Sequence, residues 1–161
     1  MEELMKWVNS LDRDRKVSDS GAFLDFLSSR AEVKGKRFGA TGYCMGGNAS
    51  LTAAGAFPDR FAAVASFHGG GLVSDQPNSP HLQASKTKAQ FLIAIASNDD
   101  QRAPNEKDVL KETFTKANLP AEIEVYSGAH GWCPPDSRVY NEPDAEKAWT
   151  RLLALYGKAL A

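Results

Sequence analysis

Three short stretches hold residues able to carry out acyl transfer. In GATGYCMGGNAS, residues 39–50, Cys44 stands between Gly42 and Gly46 directly after a short apolar run. A nucleophile presented on a sharp strand-to-helix turn needs small residues two positions before and two after it, because larger side chains collide there. Such a turn lifts the Cys44 side chain above the sheet at the start of a helix, where free N–H groups favour thiolate over thiol. The Met45 amide would then face a developing oxyanion. Taken alone, Gly-x-Cys-x-Gly fits a buried structural cysteine equally well.

The other two stretches supply the missing chemistry. IASNDDQRAP places a carboxylate pair, Asp99 and Asp100, after one apolar run, and YSGAHGWCPP places His130 after the next. Nucleophile, acid and histidine in that chain order are the arrangement of α/β-hydrolases. His130 can take a proton from Cys44 and later deliver it to a leaving group, while an aspartate fixes its tautomer. Tyr43 and Trp132, beside Cys44 and His130, are candidate walls of a substrate pocket, although Trp132 could instead pack locally. Cys133 reads as a bystander thiol and Arg138 as a surface arginine. The HGGG segment at 68–71 reads as a turn after a strand, because the oxyanion loop it resembles precedes the nucleophile in hydrolases. His81 reads as solvent-facing.

These residues need elements to position them. After a first helix near residues 2–8, SDSGAFLDFLSSR offers Ser18 as a cap and Phe23, Leu24, Phe26 and Leu27 as an apolar stripe, which predicts a helix over 19–30. KRFGATG reads as a short buried strand, followed beyond Cys44 by a helix of small residues. FAAVASF (61–67) and AQFLIAIA (89–96) are continuous rather than alternating apolar runs, as in strands covered on both faces of a parallel sheet. The Gly, Ser and Pro-rich stretch between them, about 20 residues, is long for a connection. Pro104 precedes a helix, AEIEVYS (121–127) reads as a fourth strand, and the closing helix puts Trp149, Leu152, Leu153 and Tyr156 on one face. Strands alternating with helices predict a three-layer α/β fold whose ligands bind at the carboxyl ends of the strands.

The bulk properties narrow the class. With 161 residues the chain fits one domain, residues 1–161. A formal charge of −1 leaves no basic footprint for nucleic acid. The N-terminus lacks the apolar core of a signal peptide or a membrane span, which points to a cytoplasmic protein without a membrane partner. Two cysteines without metal-ligand spacing suit a reducing compartment. The chemistry proposed needs no metal and no organic cofactor.

Together the segments resemble the dienelactone hydrolase family (carboxymethylenebutenolidase-like, of the α/β-hydrolase superfamily), and the similarity extends through GYCMGG, AAGAFPDRFAAVASFHGGGL, NSPHL, GAHGW and PDSRVYNEPDAEKAWTRLLALY. The resemblance implies Cys44 as nucleophile and His130 as base. It implies Asp100 as acid, four residues before Pro104, with Asp99 as the alternative. It also implies a hydrolase of small esters or lactones. A glutamine amidotransferase-like centre would want Gln and Glu where Asn48 and Trp132 stand.

Two departures from the family pattern qualify that expectation. The family has strands, and a loop giving the second oxyanion N–H, ahead of the nucleophile strand, so this chain reads as N-terminally truncated. Losing such a donor typically costs about 2.7–4 kcal/mol of transition-state stabilisation. An unpaired strand edge would also remain, open to self-association. Second, family members acting on the namesake lactone have an arginine shortly after the histidine, where this chain has Trp132, Cys133 and Pro134. The alternative reading is therefore a catalytically impaired hydrolase domain serving as a binding or assembly module.

Overall fold

In the computed structural model, which describes residues 2–161, two helices, α1 (Glu2–Ser10) and α2 (Arg13–Ser29), precede the first strand, β1 (Phe38–Tyr43). From there the chain runs α3 (Met45–Ala56), β2 (Phe61–Phe67), α4 (Pro80–Ala84), β3 (Gln90–Ile95), α5 (Ser97–Arg102), α6 (Glu106–Lys116), β4 (Ala121–Val125) and α7 (Glu142–Ala159). The strands form a parallel sheet in the order β1-β2-β3-β4. Leu51, Val64, Phe91, Ile93, Leu110 and Phe114 fill the layer under α2, α3, α4 and α6. Phe67, Leu92, Ala94, Trp132, Ala148 and Leu152 fill the layer under α7. The result is the expected three-layer α/β arrangement. Strand β2 is buried throughout and β3 from Phe91 onward, as continuous apolar runs require when helices cover both faces.

Three expectations shift. Helix α2 begins at Arg13 rather than 19, because Asp12 and not Ser18 caps it, accepting the Arg15 N–H at 2.8 Å. Of its four-residue stripe only Leu24 is buried, while Phe23 and Phe26 lie open. At about 100° per residue those four positions fan over nearly half the helix circumference, and only one edge of the fan meets α3. On α7 the inward residues are Ala148, Leu152, Leu155 and Tyr156, with Trp149 and Leu153 turned outward. The stripe is rotated by about one residue from the expectation. Its placement is fixed by the Tyr156 hydroxyl, which bonds Thr41 on β1 at 2.5 Å.

The turn after β1 depends on close backbone approach. A Cβ at Gly42 would collide with the Gly46 carbonyl and the Gly47 nitrogen, and one at Gly47 would strike the Ser66 hydroxyl on β2. At Gly46 the same position is open. The small residue required after Cys44 is therefore Gly47 rather than Gly46. No helix among the described residues is long and apolar enough to cross a membrane. Gly46→Ala is expected to leave thermal stability unchanged or raise it by up to about 1 kcal/mol, since alanine favours a helix. Gly42→Ala and Gly47→Ala should each cost about 1–3 kcal/mol or more through overpacking, measured by urea unfolding.

Candidate active site

The parallel register sets Tyr43 beside Phe67, Phe67 beside Ala94, and Ile95 beside Val125, so the carboxyl ends of all four strands open on one rim. Each strand delivers one residue to it. Cys44 follows β1 directly, His68 follows β2, Asp99 sits in the first turn of α5 after β3, and His130 lies on the loop after β4. The Cys44 backbone, at φ 53° and ψ −125°, occupies a region that costs a non-glycine residue on the order of 1–3 kcal/mol. That conformation turns the chain sharply from strand into α3 and leaves the thiol exposed.

Around the thiol the side chains form a relay. The Cys44 Sγ lies 3.1 Å from His130 Nε2, and His130 Nδ1 lies 2.6 Å from Asp99 Oδ2. The carboxylate thus selects the tautomer that turns an unprotonated Nε2 towards sulfur. The structure places Asp99, not Asp100, on His130. Asp100 faces the other way and pairs with Lys107 on α6 at 2.7 Å. Family spacing to Pro104 pointed to Asp100; the short helix α5 rotates successive side chains by about 100° and turns only Asp99 towards the histidine.

The loop carrying His130 is tied down on two sides. The His130 N–H donates to Asn98 Oδ1 at 2.7 Å, and the Ser97 N–H donates to the Gly128 carbonyl at 3.0 Å. From the other side, the buried Asp144 of α7 accepts the Gly128 N–H at 2.7 Å and the Ser127 hydroxyl at 2.8 Å. Sequence reasoning passed over Asn98 and Asp144. The asparagine beside the carboxylate pair was the available signal for the first; nothing local marked the second.

His68 is the other omission. It is 2% exposed, and its Nδ1 accepts the Cys44 N–H at 3.2 Å, a donor shared with the Phe67 carbonyl at 3.1 Å. Its ring meets the rings of His130 and Trp132 edge to face, with centroids 5.2 and 5.4 Å away. Burial, reinforced by the neighbouring His130, pushes its imidazole down to about 4.

Several expected roles change. Trp132 is wholly buried, stacked on Tyr126 with centroids 5.1 Å apart, so it packs in the core and does not wall an open pocket. Tyr43 remains part-exposed at the rim. His81 is buried rather than solvent-facing; its Nδ1 pairs with the Ser79 hydroxyl at 2.8 Å and its N–H with the Leu72 carbonyl, knotting the long loop. Burial pushes the Cys133 thiol up. Met45 opens α3, with the Gly47 N–H of its first turn donating to the Cys44 carbonyl at 3.0 Å. An apolar groove of about 230 Å³, lined in part by Leu11, Phe23, Met45 and Ala49, lies beside it. Among the described residues no group of His, Cys, Asp and Glu is arranged to hold a metal ion.

A parallel sheet covered by helices, with a cysteine on a strand-to-helix elbow facing a histidine and an aspartate at neighbouring strand ends, defines an α/β-hydrolase fold. The sequence pattern of the dienelactone hydrolase family matches residues 1–160, and the chain belongs to that family. Protein usf of Aquifex pyrophilus is 28% identical over 141 residues, 86% of this chain and 58% of that protein. A solved dienelactone hydrolase-like promiscuous phosphotriesterase from metagenomic libraries superposes with a TM-score of 0.78 at 20% identity, covering 92% of this chain and 63% of its own. The acylaminoacyl peptidase of Pyrococcus horikoshii superposes at 0.68, with 18% identity, over 90% of this chain and 28% of its own. The chain thus spans less than two thirds of the length of these relatives.

The buried His68 has a stability consequence. Because its folded value of about 4 lies below the unfolded 6.5, the unfolded chain binds the proton more readily between those values, and stability falls as pH drops through that window. Above 6.5 the contribution is constant. Urea unfolding at pH 7 and pH 4.5 should show a loss from this residue of about 2–3 kcal/mol, and His68→Asn should remove that part of the pH dependence.

Proposed function

We propose that the chain is a hydrolase of small esters or lactones acting through Cys44, His130 and Asp99. The observation carrying this reading is the continuous relay from Sγ through the imidazole to the carboxylate, at 3.1 and 2.6 Å, on three strand ends. Membership of the dienelactone hydrolase family supports it.

In this reading Cys44 Sγ attacks the carbonyl carbon as its proton passes to His130 Nε2, and a C–S bond forms. The oxyanion is held by the Met45 N–H at the positive end of α3. The Cys44 N–H is committed to Phe67 and His68 and is not available for that task. Collapse breaks the C–O bond, and His130 gives its proton to the departing alcohol. His130 then takes a proton from water, whose oxygen attacks the thioester carbon; collapse breaks the C–S bond, His130 returns the proton to Sγ, and the acid leaves. Asp99 keeps Nδ1 protonated and stabilises the imidazolium. The apolar groove beside Met45 suits a short aliphatic or aryl group.

Hydrolysis of p-nitrophenyl acetate tests the assignment. Cys44→Ala is expected to abolish turnover, and His130→Ala and Asp99→Asn to lower kcat by roughly 100-fold or more. Asp100→Asn should stay within about threefold of the wild type, since that carboxylate is held by Lys107. A loss in Asp100→Asn with Asp99→Asn near the wild type would move the acid to Asp100, and wild-type rates indistinguishable from Cys44→Ala would remove the hydrolase reading.

A further inference from the structure

Among the side chains at the rim, His68 has a role that proton transfer alone does not explain. It is buried, and among the described residues its Nε2 has no hydrogen-bond partner. What it does satisfy is the backbone of the nucleophile. Nδ1 accepts the Cys44 N–H, which requires that Nδ1 carry no proton. The residue is itself held at a positive φ of 41°, with its N–H on the Ala94 carbonyl at 2.8 Å. That anchors the ring to β3, the strand that leads into Asp99.

The same ring forms a wall for the base. His130 meets it edge to face at 61°, and Trp132 closes the far side at 80°. One imidazole therefore touches both partners of the proton transfer, the backbone of one and the ring of the other. The elbow conformation at Cys44 costs energy and persists only where its surroundings over-determine it.

We propose that His68 is a positioning residue for acyl transfer, holding the Cys44 elbow through Nδ1 and the His130 ring through face contact, so that Sγ and Nε2 stay within transfer distance. This rests on the hydrolase reading for its catalytic meaning, but the positioning itself is open to a separate measurement. It also gives the HGGG segment a part in the site beyond that of a turn. A displacement of about 1 Å between reacting groups can cost on the order of 100-fold in rate, so a ring that fixes both groups carries large leverage.

The test compares the wild type with His68→Asn, His68→Gln and His68→Ala. Asparagine places its side-chain oxygen where the histidine Nδ1 stands; glutamine and alanine do not. The first readout is the rate of Cys44 alkylation by iodoacetamide relative to His130→Ala, which reports whether His130 activates the thiol. The second is kcat and KM on p-nitrophenyl acetate. His68→Ala and His68→Gln are expected to lose the His130-dependent acceleration and to lower kcat by roughly 10- to 100-fold with KM within about threefold, while His68→Asn, which keeps an acceptor for the Cys44 N–H but lacks the ring against His130, loses clearly less of both. Unchanged alkylation and kcat in all three variants, or the same loss in Asn as in Gln and Ala, would overturn the proposal. Should His68→Ala fail to fold, the contrast between Asn and Gln decides. If the wild type hydrolyses no ester, the hydrolase reading falls, and the alkylation series still decides the role of His68.

Discussion

The site depends on the strained backbone at Cys44. A cysteine at φ 53° and ψ −125° is unfavourable by itself, and the surrounding structure is arranged to hold it there. Gly42 lets the returning helix lie against β1, and Gly47 lets α3 press on Ser66 of β2. The Cys44 N–H is gripped twice, by the Phe67 carbonyl and by His68. Relaxing any of these would lower the local strain and move the thiol from the histidine. The surroundings thus keep the Cys44 thiol exposed at the start of a helix rather than folded into the core.

Parallel pairing supplies the second condition. Because all four strands run the same way in near register, their carboxyl ends meet on one rim, and residues far apart in sequence become neighbours. The relay between positions 44 and 130 closes only because the loop after β4 is pinned by Asn98 on one side and Asp144 on the other. Asp144 is itself in the first turn of α7, so the closing helix has a direct part in placing His130. Burial of α7 and geometry of the site are thereby coupled through one carboxylate.

Membership of the dienelactone hydrolase family accounts for the shared elbow and sheet, while the relatives compared extend well beyond the region matched. Within this chain β1 stands at the end of the described sheet, where Phe23, Leu24 and Leu27 of α2 share a cleft with Phe38 and Ala40. The rim on that side is bounded by Met45 and the apolar groove.

Much of this was legible in the sequence. Continuous apolar runs at 61–67 and 89–96 read as strands covered on both faces, and the glycines around Cys44 marked a tight turn. Those features are local, set by periodicity and sterics, and they determined the fold class and the strand ends at which Cys44 and His130 stand. The choice between Asp99 and Asp100 was different in kind. It hung on the rotation of one short helix after β3, and Lys107 claims the carboxylate that faces away. His68 was likewise hidden, since only the pairing of β1 with β2 carries its ring to the Cys44 amide. Trp132 looked like a pocket wall beside the histidine until its stacking on Tyr126 placed it inside. Sequence determined which residues could do chemistry; tertiary packing decided which of them point at one another, because direction about a helix or beyond a strand end is fixed by contacts distant in the chain.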